Sequence, residues 1–277
     1  MGIGKKILLV IGIILLVVII VGVGIYFSIT SSNIISAQIH IESGKVLVNG
    51  NELVGDSTLK EGDIIETKED GKATVILYES VIINLDSNTK VTLDSLVKEN
   101  PRISQEGGET WNKFTKLSGV QEYSVSSGNS VASVRGTAFA FKKGKLMTGE
   151  GEVDFEIDGK NYKVGKNKVV EKLEDKINER EASQDEISEM GKKEERTIKM
   201  LKILRQKEIE KHPKVVGIIK SKFNLDDEGL KNKLEEADEG KFDLEEVAKL
   251  SPIKISSIDK VVEITKKIIE IKQAQKK

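Results

Sequence analysis

Few side chains in this 277-residue sequence could do chemistry. The chain has no cysteine, and its two histidines, His40 and His212, are far apart. Lack of cysteine excludes disulfides, thiolate nucleophiles and cysteine-ligated metal clusters. Two distant histidines argue against a histidine-rich metal site and against a Ser-His-Asp triad. Carboxylates are too abundant for one acid–base pair to stand out. We therefore predict a protein that is not an enzyme, with no catalytic residue, no metal site and no cofactor, and we leave its ligand-binding residues unknown.

Two local patterns imitate binding sites. Asn224, Asp226 and Glu235 follow the spacing of a calcium loop, but Asn opens it and Lys231 stands at its eighth position. We interpret this stretch as the acidic start of a helix. Trp111 is interpreted as a core residue rather than a sugar-binding platform.

A net charge of −1 and an aromatic content of 4% argue against a nucleic-acid partner.

The N-terminal elements indicate a membrane anchor. Residues 7–27 contain no charged side chain and would span about 30 Å as a helix. This run is longer than the apolar core of a cleaved signal peptide. We predict a short cytoplasmic tail (1–6) and a transmembrane helix (7–29) that contacts the bilayer. Lys5 and Lys6 precede the run and no Lys or Arg lies between 28 and 44, so we predict a cytoplasmic N-terminus and an extracytoplasmic remainder. Tyr26 and Phe27 occupy the interfacial position.

Two regions with different sequence patterns follow the predicted anchor. Residues 37–170 contain many short alternating runs between turn signals, which predicts an all-β domain that folds alone. Asn49-Gly50, Asp70-Gly71 and Asp158-Gly159 are hairpin-type dipeptides. In residues 171–277, 50 of 107 positions are charged and apolar residues recur at helical spacing. We predict an all-α helical domain there, either a small bundle or self-associating helices, and hence a multi-domain α+β chain.

Several motifs in the β-rich part resemble FecR-type extracytoplasmic domains, a family named for the membrane regulator of ferric citrate transport. The motifs are Leu59-x-x-Gly62-Asp63-x-Ile65-x-Thr67, Ala73-x-Val75-x-Leu77, Val131-Ala-Ser-Val-Arg135-Gly136-Thr137-Ala-Phe139 and Glu150-Gly151-x-Val153, in the family's order. The resemblance covers roughly residues 44–165. Tyr78-Glu79-Ser80 and Ser127-Gly128-Asn129 depart from the pattern.

We interpret the motif residues as structural, with direct contact to a ligand as the alternative; they are Gly62, Asp63, Thr67, Arg135, Gly136, Thr137, Phe139 and Gly151. Turn chemistry lets the Asp63 carboxylate accept backbone N–H groups. We expect Gly136 at a bulge or close approach. We expect Arg135 inside a strand, where its guanidinium needs fixed acceptors such as Asp63 or Glu66.

The family also implies a function. Its founding regulators carry a cytoplasmic domain that binds a sigma factor, and we expect no such domain before residue 7, so the resemblance does not extend to anti-sigma activity. We predict a single-pass extracytoplasmic binding or sensing module for signal transduction. Its partner would be another envelope protein, a surface polysaccharide or a second copy of itself. The alternative is a structural cell-surface component that self-associates through its C-terminal helices.

Overall fold

The computed structural model describes residues 36–174, 176–249 and 256–276, and their strands form two nine-stranded sheets. Sheet A contains, in spatial order, β18 (Lys176–Glu181), β17 (Lys168–Leu173), β14 (Lys145–Glu150), β13 (Ala138–Lys142), β10 (Glu109–Phe114), β7 (Val81–Leu85), β6 (Lys72–Leu77), β1 (Ala37–Ser43) and β4 (Ser57–Thr58). Sheet B contains β16 (Lys160–Gly165), β15 (Glu152–Ile157), β12 (Ser130–Val134), β11 (Tyr123–Ser127), β9 (Arg102–Gly107), β8 (Lys90–Ser95), β5 (Ile64–Thr67), β2 (Val46–Val48) and β3 (Asn51–Glu52). Neighbouring strands are antiparallel, except that β9 and β11 are parallel.

The core lies between the two sheets, because the chain moves back and forth between them. From β6 onward it places two consecutive strands in one sheet and the next two in the other, from β6 and β7 in sheet A to β17 and β18 in sheet A, except that β10 alone lies in sheet A between β9 and β11 of sheet B. Apolar side chains from the inner faces of both sheets are buried in one cluster. The cluster includes Ile39, Val75, Ile83, Leu93, Tyr123, Phe139 and Phe155. The predicted all-β domain is therefore confirmed as a two-sheet structure.

Two of the three hairpin dipeptides form hairpins. Asn49-Gly50 joins β2 to β3 and Asp158-Gly159 joins β15 to β16, with positive φ at all four residues. That backbone matches the right-handed twist of paired strands. The prediction for Asp70-Gly71 is wrong, because β5 and β6 lie in different sheets and this dipeptide turns a corner between them. Gly71 fits because a Cβ atom would lie 2.2 Å from the Lys45 carbonyl oxygen.

Five helices follow the strands in the described residues. They are α1 (Gln184–Glu210), α2 (Pro213–Phe223), α3 (Asp227–Asp238), α4 (Leu244–Lys249) and α5 (Ser256–Gln275). Ser183 and Glu186 form a capping box at the start of α1. His212-Pro213 separates α1 from α2, and the Asp226 carboxylate accepts from the Gly229 N–H at 2.7 Å to cap α3. The C-terminal helical region is thus confirmed.

The helices cover the outer face of sheet A. A row of side chains crosses this face from Thr74 through Asn84, Trp111, Ala140 and Met147 to Val169, each on the neighbouring strand of the last. Trp111 packs there with Met190 of α1. A second cluster joins Ile76 and Ile82 to Leu201 of α1 and Ile268 of α5. Trp111 is therefore a buried residue of the sheet–helix interface.

The strands extend beyond the predicted end of the β domain at residue 170. Strands β17 and β18 continue to Glu181, so the change from strand to helix lies later than residue 170. Strand β18 is an edge strand whose residues are mostly exposed and charged, so its sequence shows no alternation of apolar and polar residues. The predicted segments 1–6 and 7–29 lie outside the described residues. Within 36–174, 176–249 and 256–276, no helix has both the length and the apolar character needed to cross a bilayer.

Candidate functional site

The first motif residues, Gly62 and Asp63, form a turn directly before β5. Gly62 has a φ of +87° and donates its N–H to the Leu93 carbonyl at 2.8 Å. The Asp63 carboxylate accepts from the Lys60 N–H at 2.7 Å and from the Asn49 side-chain amide at 2.8 Å. These bonds tie the turn to its neighbours in sheet B. Gly62 therefore acts through its backbone conformation and Asp63 through its carboxylate, and both residues have structural roles.

Thr67 connects the two sheets from its buried position at the end of β5. Its hydroxyl donates to the Asp86 carbonyl at 2.6 Å and accepts from the Thr89 N–H at 2.9 Å. The connection between β7 and β8 is thereby held against sheet B.

The Arg-Gly-Thr part of the motif lies between strands rather than within one. Strand β12 ends at Val134, so the expectation that Arg135 is enclosed in a strand is wrong. Its side chain is 78% exposed and lies 4.0 Å from Glu122. The expected acceptors have other partners, since Asp63 binds Lys60 and Asn49 while Glu66 pairs with Lys68. Arg135 is therefore accessible to a ligand.

The residues around Arg135 explain why glycine stands beside it. Gly136 has a φ of +105°, and a Cβ atom there would lie 2.5 Å from the Lys116 side chain. Gly151 has a φ of +75°, and its Cβ would lie 2.8 Å from the Thr137 methyl. Thr137 is buried and its carbonyl accepts the Phe114 N–H at 2.9 Å, while Phe139 is fully buried in the core. The other predicted residues, Lys5, Lys6, Tyr26 and Phe27, lie outside the described residues.

A charged cleft runs between sheet A and the first half of α1. It consists of two adjoining cavities of about 350 and 460 Å³. Both cavities share Asp86, Glu109, Lys142, Glu189 and Lys193. Sequence analysis did not find this cleft, because its sheet wall comes from residues 72–147 and its helix wall from residues 185–196, which are distant along the chain.

Arg196 and Lys193 of α1 fix the cleft's floor. The Arg196 guanidinium donates to both Glu42 carboxylate oxygens at 2.9 and 3.0 Å, to the Leu85 carbonyl at 3.0 Å and to Asp86. The Lys193 ammonium pairs with Glu109 and lies 3.4 Å from Asp86. Burial lowers the pKa of Lys193, while Asp86 acts in the opposite direction. Bidentate Arg–carboxylate pairs are among the strongest hydrogen bonds in proteins, so these contacts lock α1 to the sheet.

A buried amide marks the same contact from the strand side. Asn84 lies in the apolar strand β7, and its amide donates to the Thr197 hydroxyl at 3.1 Å and the Lys193 carbonyl at 3.3 Å. A buried polar group requires a partner. Asn84 within Val81-Ile-Ile-Asn-Leu85 was the one sequence signal that something polar covers this face.

A second ionic cluster involves Glu194, which follows Lys193 directly on α1. The Lys113 ammonium pairs with Glu150 and lies 3.6 Å from Glu194. Burial raises the pKa of Glu194, and Lys113 only partly offsets this effect. This carboxylate therefore favours its neutral form more than an exposed glutamate would.

An apolar groove of about 90 Å³ lies among the five helices. Its walls are twelve apolar side chains, of which all but Leu234 remain partly exposed. They are Ile209, Val215, Val216, Ile219, Leu230, Leu234, Leu244, Val247, Ala248, Ile258, Val261 and Val262. The groove is suited to bind aliphatic groups.

Three polar residues at one end of the groove resemble a triad in composition only. The Ser257 hydroxyl lies 2.8 Å from His212 Nε2 and also donates to Glu208. In a catalytic triad the histidine lies between the nucleophile and the acid. Here the serine lies in the middle, so Glu208 cannot orient His212. In the described part of the chain, no group of three or more His, Asp or Glu side chains is placed to hold a metal ion.

Comparisons with known proteins assign the β-rich part. Residues 63–157 match the family model described as "FecR protein", which confirms the resemblance found in the sequence. A search of curated proteins found no significant match. Two crystal structures of a proposed anti-sigma factor from Parabacteroides distasonis share 13% sequence identity with the chain, at a TM-score of 0.40. Each alignment covers 45% of this chain and 62% of the other, so this chain spans less than two thirds of those proteins.

Proposed function

From the FecR domain at residues 63–157, we propose that this chain is a membrane-anchored, extracytoplasmic sensing or binding module that is not an enzyme. The observation that carries the proposal is the family match, which covers most strands of the two-sheet domain. A regulatory or sensing role follows from that domain. The partner is another envelope protein, a surface polysaccharide or a second copy of this chain.

The site chemistry supports binding rather than catalysis. In the charged cleft, Arg196 and Lys193 are engaged by Glu42, Asp86 and Glu109, so these groups hold elements together. The order of His212, Ser257 and Glu208 does not activate a nucleophile. Arg135 is a motif residue with a largely exposed cationic side chain, and its guanidinium fork is suited to a carboxylate or phosphate group on a ligand.

The anchoring part of the proposal rests on the sequence. The uncharged run 7–27 is long enough to cross a bilayer, and Lys5 and Lys6 lie on its cytoplasmic side under the positive-inside rule. The FecR domain and the helices would then lie outside the cell.

Cysteine labelling in intact cells tests the topology, because the chain has no cysteine of its own. We would introduce Gly4→Cys and Val131→Cys separately in the full chain and add a membrane-impermeant maleimide. We expect Val131→Cys to react in intact cells, after the outer envelope is opened if the cell has one. We expect Gly4→Cys to react only after the inner membrane is permeabilised. Equal labelling of both positions in intact cells would overturn the proposed topology.

Partner binding is tested separately by crosslinking. A photoreactive maleimide at Arg135→Cys and at Val131→Cys, in the full chain in its own membranes, compares the exposed motif corner with the outer face of sheet B. The proposal expects crosslinked products at residue 135 that are absent at residue 131. An identical pattern at both sites would remove Arg135 as a ligand contact.

A further inference from the structure

Helix α2 is an amphipathic helix without a buried residue. Its sequence carries three lysines and no acidic residue, and its apolar residues include Val215, Ile219 and Phe223. Ile218 is 43% exposed, which makes it one of the few large apolar side chains on the surface of the described residues. The apolar groove lies behind α2, because Val215, Val216 and Ile219 form one of its walls. Exposed apolar side chains and lysines on one short helix are typical of a helix that lies on a membrane surface.

The start of the β domain, at Ser36, is connected by contacts to the groove beside α2. The Ser36 carbonyl accepts the Tyr78 N–H at 3.0 Å. The next residue, Glu79, pairs with Lys260 of α5, and Lys260 lies 3.2 Å from Glu208, which lines the groove. A short, continuous series of contacts thus leads from the start of β1 to the groove beside α2.

The length of chain before Ser36 limits the distance from the membrane. Residues 30–35 connect the predicted transmembrane helix (7–29) to Ser36, and six residues extend over at most about 22 Å. This end of the molecule therefore lies close to the bilayer if residues 7–27 cross it. The outer face of sheet B lies on the side of the sandwich opposite the helices. The thickness of the sandwich therefore separates this face from the bilayer.

We propose that α2 and the rim of the apolar groove rest on the outer surface of the membrane that residues 7–27 cross. The occupant is lipid at the boundary between headgroups and acyl chains, with Ile218 inserted and the lysine ammonium groups directed toward the headgroups. Lys220 also pairs with Asp227 at 2.7 Å, so aliphatic burial contributes more than net charge. This inference rests on the anchoring part of the proposed function. It adds a fixed orientation of the extracytoplasmic part on the membrane surface. This orientation sets the positions of Arg135 and sheet B relative to the bilayer.

Fluorescence quenching in proteoliposomes tests this arrangement with the full chain. Ile218→Cys and Val131→Cys are labelled with an environment-sensitive fluorophore, and the two positions are matched because Val131 is 38% exposed. The vesicles are phosphatidylcholine containing a lipid with a nitroxide near the headgroup end of its acyl chain. We expect the label at residue 218 to lose most of its fluorescence and the label at residue 131 to keep it.

Three results would overturn the inference, and they have different meanings. An unquenched label at residue 218 in chains that resist alkaline extraction would disprove membrane contact by α2 while leaving the anchor intact. Chains that are extracted from the vesicles would disprove the anchor, and the inference with it. Energy transfer between labels at residue 218 of separate copies, without lipid quenching, would show that a second copy covers α2.

Discussion

Sheets A and B have the same number of strands, but only sheet A is covered on both faces. Its central strands are buried along nearly their whole length, as in Ala73–Leu77, Val81–Leu85 and Thr110–Phe114. In sheet B the burial alternates, as in Glu152–Ile157 of β15. A sheet buried on both faces has continuous apolar runs, whereas a half-exposed sheet alternates. The difference shows that the helices belong to the packing of the β domain.

Removal of the helices should change the stability and association of the β domain more than any single substitution. A fragment of residues 36–182 would expose the outer face of sheet A, including Ile76, Ile82 and Trp111. Large exposed apolar patches drive association. We expect this fragment to self-associate and to melt at a lower temperature than residues 36–277, by light scattering and circular dichroism. An equally stable, monomeric 36–182 fragment would instead support the prediction that the β domain folds alone.

Single core substitutions compare the two outer faces directly. Trp111→Ala removes a fully buried side chain between sheet A and Met190, and we expect it to cost about 3–5 kcal/mol in unfolding free energy. Val131→Ala on sheet B is expected to change it by no more than about 0.5 kcal/mol. Urea unfolding of residues 36–277 measures both. Similar costs at the two sites would mean that the outer face of sheet B is also covered.

Ion pairs should differ in the same way. Arg196→Ala leaves Glu42 and Asp86 without their partner in the cleft of sheet A, and we expect a loss of about 2–4 kcal/mol. Lys163→Ala removes exposed pairs with Glu152 and Asp154 on sheet B, where solvent screens the attraction. We expect no measurable change there. The same urea assay applies, and a neutral Arg196→Ala would show that α1 does not depend on this contact.

A pH series sharpens the comparison at the edge of sheet A. Glu186 accepts from Arg180 at 2.7 and 2.9 Å and from Lys145 at 2.7 Å, and these bonds hold its pKa well below the usual range. A depressed folded pKa stabilises the protein above the unfolded pKa of about 4.3, and the effect is lost as pH falls toward the folded value. We therefore expect Glu186→Gln to cost about 1 kcal/mol at pH 7 and progressively less below pH 4.

The matched control for that series is Glu156→Gln, on the exposed face of sheet B. Its unfolding free energy should follow the wild type at every pH. A constant deficit for Glu186→Gln across the acid range would contradict the linkage to its carboxylate.

The smallest effect is expected at the exposed motif residue. Arg135→Ala should leave the melting temperature unchanged, because the side chain is largely solvated. The neighbouring Gly136→Ala is the contrast, since a φ of +105° and the nearby Lys116 side chain strain any Cβ atom. Thermal melts of both variants decide whether the structural role lies in the glycine. A large drop for Arg135→Ala would instead support the expectation from the sequence that its guanidinium has fixed acceptors.

Much of the fold could be predicted because its signals are local. The capping box at Ser183 and the break at His212-Pro213 depend on a few adjacent residues. The family motifs located the FecR domain, which the family match confirms. Strand β18 was missed because its exposed, charged residues show no core-facing alternation. The prediction that Arg135 lies inside a strand was wrong, because the motif does not indicate where strand β12 ends.

The sequence by itself determined the turn types at Asn49-Gly50 and Asp158-Gly159, the helix caps and the apolar N-terminal segment, because each depends on short-range sterics and hydrogen bonds. Only the tertiary structure decided which sheet the helices cover and where the charged cleft and apolar groove form. Arg196 reaches Glu42 across 154 residues of chain. A contact at that separation depends on how two sheets and five helices pack, and no local pattern around either residue specifies its partner.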